Sequence, residues 1–195
     1  VDSEPLHHRA LLAGTARFGV DLSDLPEEAF RGVHMGDVWK ILRPRLPENL
    51  VETEWLDAIN DHYVAHRREL VAVPQAVETV RAFAARRLQQ VCVSNSARVI
   101  VEANLDALGL SSLMDFSISL DDVMAGKPDP FPYAEACRRL GLRPAEVLAV
   151  EDSFTGATSA LAAGLHCAGL GLEMSEASGR MRRIEALGEL MRFVP

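Results

Sequence analysis

Residues 147–153 read VLAVEDS: Val147, Leu148, Ala149 and Val150 run unbroken into Glu151 and Asp152, and Ser153 then opens a helix-like segment. A short continuous apolar run suits a strand covered on both faces, which is how parallel strands between helices read. Such a strand delivers whatever follows it to the carboxyl edge of an open α/β sheet, where ligands bind. Two adjacent carboxylates at that edge repel each other unless a cation stands near them, and a divalent metal is the candidate. The competing reading is that Glu151 and Asp152 end the strand and, with Ser153, cap the next helix.

Working outward, the chain on either side alternates helix and strand. A helix presenting Val77, Val80, Phe83 and Ala84 leads to a strand at 91–96, VCVSNS. A helix with Ile100, Ala103, Ala107 and Leu108 ends at Gly109, and a strand at 116–120 runs into the loop GKPDP, 126–130. A helix at 131–140 stops at Gly141; after the strand at 147–150, a helix at 154–163 ends at Gly164 and a strand follows at 166–170. A more polar tail begins at Glu173 and closes on helix-like residues 180–193. This alternation predicts a parallel sheet with right-handed crossovers.

Residues 6–70 follow a different grammar, with helices and no convincing strand. Asp2 or Ser3 can cap a helix carrying Leu6, Leu11, Leu12 and Phe18. A short helix at 26–31, a turn-like loop at 32–36 and a helix at 38–43 stopped by Pro44 come next. The clearest amphipathic helix is 53–69, with Trp55, Ile59 and Tyr63 four apart. The expected organisation is therefore an α/β core from residues 1–5 plus 71–195, with a helical domain at 6–70 inserted in it.

Composition excludes several classes. At 195 residues, 48% hydrophobic and 25% charged, the chain has material for one packed core and a small second domain. Its net charge of −8 disfavours nucleic acid and anionic membranes as partners. No apolar run approaches the roughly eighteen residues of a membrane helix, so a soluble, cytoplasmic protein is expected. Cys92, Cys137 and Cys167 sit in apolar surroundings without metal-site spacing and read as reduced core residues.

Three features point at one sheet edge. Ser94 and Asn95 follow the apolar Val91, Cys92 and Val93 and precede a helix start near Arg98, which offers an anion a hydroxyl, an amide and a helix dipole. Lys127 precedes Pro128 in a stiff loop bounded by Pro130, where it makes a fixed point charge for phosphate. Glu151 and Asp152 are hard oxygen donors of the kind Mg2+ prefers. A metal, a lysine, a hydroxyl and a helix amino terminus together are the kit for phosphoryl transfer.

Ser94-Asn95-Ser96, Gly126-Lys127-Pro128-Asp129-Pro130 and Val150-Glu151-Asp152-Ser153, in this order and spacing, resemble motifs II, III and IV of the haloacid dehalogenase (HAD) superfamily. The opening Val1-Asp2-Ser3-Glu4-Pro5-Leu6-His7 resembles the residues that follow its first motif, and 6–70 resembles the small helical cap of the subgroup with β-phosphoglucomutase and sugar-phosphate phosphatases. The resemblance implies a Rossmann-like core with an inserted cap, Mg2+ held by Asp152 and Glu151, and Lys127 and Ser94 in the chemistry. Asn95, Ser96, His7, Arg31, His34 and Arg98 are the implied substrate contacts, whereas Asp121 and Asp122 are expected to shape the loop before Lys127.

The implied reaction is hydrolysis of a small phosphorylated metabolite, a sugar phosphate by class, through an aspartyl phosphate. No residue here matches the family's nucleophilic aspartate; a nucleophile strand preceding Val1, or one supplied by another segment or chain, is expected, because without it two neighbouring strands would keep unpaired edges. Met35 stands where β-phosphoglucomutase carries an arginine, which favours a phosphatase over the alternative, a phosphomutase. An inactive HAD-fold binding module and a metal-independent dehalogenase are the other readings. The expected partner is a small phosphorylated substrate, with the protein a monomer or homodimer.

Overall fold

The structure is a computed structural model that describes residues 1–173 and 179–193. It divides into a helical unit, Val1–Ala72 with Glu102–Leu108, and an α/β unit made of Val73–Val101 and the chain from Gly109 onward. Residues 1–5, expected with the core, cluster with the helices. Asp2 forms an antiparallel bridge with Val71, its N–H donating to the Val71 carbonyl at 3.0 Å. The segment from Glu102 joins the same unit because the Tyr63 hydroxyl donates to Asn104 at 2.7 Å and Arg67 pairs with Asp106 at 2.9 Å.

The helical unit is built on α1 (Glu4–Ala16) and α3 (Glu52–Ala65), with α2 (Met35–Leu42) between them in sequence. On α1 the buried residues are Leu6, Ala10, Leu11, Gly14 and Thr15, and on α3 they are Trp55, Ala58, Ile59 and Tyr63; each set repeats at three, four and five, the stripe of one helix face. Burying Trp55 completely requires a partner for its indole N–H, which Thr15 Oγ1 provides at 2.8 Å. The helix expected at 53–69 stops at Ala65, after which Arg67–Glu69 tighten into a 3-10 turn.

The α/β unit holds five strands among the described residues, every pairing parallel, in two sheets. β1 (Val91–Val93) pairs with β2 (Phe116–Ile118), and β3 (Leu148–Glu151), β4 (His166–Leu170) and β5 (Met181–Ile184) form the second sheet in that order. The helices are α4 (Ala76–Ala85), α5 (Arg98–Ala107), α6 (Phe131–Leu140) and α7 (Phe154–Ala162). α5 is shared, its first four residues belonging to this unit. α6 ends where Gly141 turns left-handed at φ +69°.

Strand alternation sorts the second sheet's side chains into two cores. Ala149, Cys167 and Met181 lie side by side in register and pack with Tyr133, Cys137, Ala157 and Ala160 of α6 and α7. Ala168 and Ile184 pack on the other face with Leu190, joined by Leu148 and Phe83. Residues 180–193 therefore depart from the helix expected there: they form β5 and then a 3-10 turn at Leu187–Arg192. Met181 and Ile184 are three apart, which mimics a helix face, but in a strand they point to opposite sides and fill one core each. All three cysteines are free, Cys137 and Cys167 being buried. No helix among the described residues is long and apolar enough to cross a membrane.

Candidate active site

Glu151 is the last residue of β3 and shares strand parity with Ala149, so its side chain turns toward α6 and α7 while Asp152, one residue on, is exposed. The Glu151 carboxylate is 7% exposed and is held from two sides. Lys127 Nζ donates to its Oε1 at 2.5 Å, and the Tyr133 hydroxyl from α6 donates to the same oxygen. The lysine ammonium also lies 5.4 Å from the centroid of the Tyr133 ring. Burial, and then the neighbouring Glu151 charge, push the Tyr133 phenol far above its ordinary range, which keeps it a neutral donor. The cation that relieves Glu151 is thus a side chain, Lys127, where a metal ion between the two neighbouring carboxylates was expected. Asp152 is the exposed acid of the pair.

The loop carrying Lys127 is fastened at several points. Asn95, just beyond β1, reads the Lys127 peptide in both directions: its Nδ2 donates to the Lys127 carbonyl and its Oδ1 accepts from the Lys127 N–H, each at 2.8 Å. Asp129 Oδ1 accepts from the Phe131 N–H at 2.8 Å, and its carbonyl accepts from the buried Ser159 hydroxyl at 2.5 Å. The Lys127–Pro128 peptide is cis. Asn95, expected against substrate, is consumed by this latch. Ser94 and Ser96 flank it, with Ser94 Oγ accepting from the Ser96 N–H at 3.1 Å.

Two glycines make the packing possible. A Cβ on Gly156, in the first turn of α7, would overlap the Glu151 carboxylate. A Cβ on Gly126 would stand 2.8 Å from Asn95 Oδ1. Tyr133 and Gly156 were not among the residues singled out by sequence. A glycine inside a helix start is a signal of close approach, and Tyr133 shares its helix face with the buried Ala136 and Cys137.

Arg98, expected as a substrate contact, is committed within the protein. Its guanidinium pairs with Asp122 and donates to Ser117 Oγ at 3.2 Å, and its N–H donates to Asp121 at 2.8 Å. Burial raises the Asp122 carboxyl, but the Ser119 and Arg98 donors outweigh it and hold it below the usual range. Both aspartates therefore brace the loop after β2.

His7, Arg31 and His34 belong to the helical unit, in three different settings. His7 packs against Tyr63 with ring centroids 4.5 Å apart and the rings tilted by 35°, and burial lowers its pKa to about 4, so it is neutral at pH 7. His34 caps α2, its Nδ1 accepting from the Gly36 N–H at 3.1 Å. Arg31 is exposed after the 3-10 turn Glu27–Phe30. No group of three His, Cys, Asp or Glu side chains among the described residues could hold a metal ion.

This arrangement fixes one cationic group and one exposed carboxylate at a sheet edge, a pairing that can grip an anion and supply one ligand to a hard cation. Two relatives by sequence carry phosphatase names. The validoxylamine A 7'-phosphate phosphatase of Streptomyces hygroscopicus subsp. limoneus is 36% identical over 100 residues, 51% of this chain and 47% of that protein. The phosphoglycolate phosphatase of Thiobacillus denitrificans is 35% identical over 104 residues, 53% of this chain and 44% of that protein. The chain thus spans about half the length of the relatives it matches in sequence. The crystal structure of CbbY from Rhodobacter sphaeroides in complex with phosphate superposes with a TM-score of 0.82 at 25% identity, covering 97% of this chain and 90% of that one. Residues 1–164 match the haloacid dehalogenase-like hydrolase family, and the chain belongs to it.

Proposed function

We propose that the protein hydrolyses the phosphate ester of a small metabolite, a sugar phosphate by class, with Mg2+ and through an aspartyl phosphate. The observation that carries this is the buried Lys127–Glu151 pair, latched to Asn95 and set beside the exposed Asp152. Two sequence relatives are named as phosphatases of small phosphorylated compounds, which supports the same class. Lys127 grips the phosphate oxygens, and Ser94, at the carboxyl end of β1, donates its hydroxyl to them. Asp152 would hold the Mg2+; this ion characteristically takes one or two protein carboxylates and completes its shell with water and substrate phosphate, so a single acid fits it. When bound, the ion neutralises phosphate charge. Glu151 does not join that shell in this reading, because Lys127 and Tyr133 occupy it.

The nucleophilic aspartate is assigned to a strand preceding Val1. Among the described strands β1 pairs on one side only, with β2, and β3 on one side only, with β4, so each offers a free flank to such a strand. Its carboxylate oxygen attacks phosphorus, the phosphorus–ester oxygen bond breaks and the departing alkoxide takes a proton from water, and a second water then cleaves the acyl phosphate to orthophosphate and the free carboxylate. The test is turnover of 4-nitrophenyl phosphate in Mg2+ by the chain extended upstream of Val1. Activity is expected, with losses of at least about a hundredfold on Lys127→Ala or Asp152→Ala. An extended, folded chain without turnover on this ester or on a panel of phosphorylated metabolites overturns the reading in favour of a binding module.

A further inference from the structure

We propose that Tyr133 is a positioning residue: its hydroxyl and its ring together fix the orientation of the Lys127 ammonium that receives phosphate. The assignment rests on the phosphatase reading above. Tyr133 is 6% exposed on α6 and touches the Lys127–Glu151 pair at both members. Its hydroxyl shares Glu151 Oε1 with Lys127 Nζ, and its ring lies 5.4 Å from that nitrogen. One side of the ammonium is therefore taken by a carboxylate and another by a π face, which leaves its remaining hydrogens for an incoming anion. The shared oxygen matters most. A buried carboxylate with a lysine as its only donor draws that lysine in tightly, whereas a second, neutral donor satisfies part of its demand without adding charge. Phenylalanine at this position would keep the packing and the π face and remove only the second donor.

The chain contains two lysines, Lys40 and Lys127, and Lys40 is exposed in an ion pair with Asp37. In protein labelled with 15N-lysine, the ammonium resonance that Lys127→Arg removes is that of Lys127, whatever other lysines a longer chain carries. In Tyr133→Phe that resonance is expected to shift as the pair tightens, and orthophosphate binding, followed by calorimetry, to weaken about 3- to 10-fold, the equivalent of one lost hydrogen bond. Thermal unfolding run in parallel checks that the variant is folded. An unmoved ammonium resonance together with unchanged orthophosphate affinity overturns the assignment. Failure of the wild-type chain to bind orthophosphate would instead count against the phosphatase reading, and the ammonium resonance alone would then decide the role of Tyr133.

Discussion

Lys127 and Glu151 show how a functional pair is also a structural commitment. Their side chains are 11% and 7% exposed, so removing one leaves the other charged, buried and unpaired. Lys127→Met is expected to cost about 3 kcal/mol in urea unfolding, and Lys127→Met/Glu151→Gln to cost clearly less. Equal losses in the single and double variants would mean that the stranded Glu151 charge is not the source of the cost. Asn95 acts through the same lysine by holding its peptide at two points. Asn95→Ala should lose about 1–2 kcal/mol of stability and weaken orthophosphate binding, whereas a substrate contact alone would weaken binding with stability intact. The placing of Lys127, Glu151 and Asp152 at strand ends and in a loop was legible because an apolar strand running into acids, and a lysine between glycine and proline, stand in consecutive letters; the pairing of Glu151 with Lys127 was not. Tyr133 and Gly156 were not legible. Their importance depends on which way Glu151 faces, and that is decided by strand parity and by the packing of α6 and α7.

Elements obey the same division between local pattern and tertiary partner. The strands at 91–93, 116–118, 148–151 and 166–170 were readable because each is a short apolar run between turn signals. β5 was misread as helix because MRRI places its two apolar residues three apart, and only the neighbouring β4 decides that they go to opposite faces. A related hidden constraint lies between α1 and α3. A Cβ added to Gly14 would stand 2.7 Å from Ile59 Cγ1 and 2.8 Å from the Ile59 backbone, and backbone cannot rotate away. Alanine is the better helix former by roughly 1 kcal/mol, but overpacking of this kind costs about 1–3 kcal/mol. Gly14→Ala is therefore expected to lower the melting temperature, by several degrees for a domain of this size. A rise would show that α1 and α3 can separate freely.

At the scale of the whole molecule, a helix-only stretch followed by helix–strand alternation reads as a domain at 6–70 within a core of 1–5 plus 71–195, whereas the described units are Val1–Ala72 with Glu102–Leu108 and the remainder. Their boundaries were less legible, because the Asp2–Val71 bridge and the partners of Asn104 and Asp106 are long-range contacts that no local pattern encodes. The helical unit also carries a pH signature for the whole chain. Burial holds His7 at a pKa of about 4, against about 6.5 for an unfolded histidine. Between these values the unfolded chain binds a proton that the folded one refuses, so stability is fully present above about pH 6.5 and declines as pH falls toward 4. The loss from His7 is at most on the order of 3 kcal/mol. His62, lowered by burial and by the stacked His66, adds in the same direction. His7→Phe preserves an aromatic ring against Tyr63 and removes the titrating group, so the urea midpoint should change markedly less between pH 6.5 and 4 in the variant than in the parent. Parallel pH profiles for the two proteins would show that the acid sensitivity arises elsewhere, among carboxylates and the remaining histidines, and that the His7 ring against Tyr63 accepts its proton without resisting it.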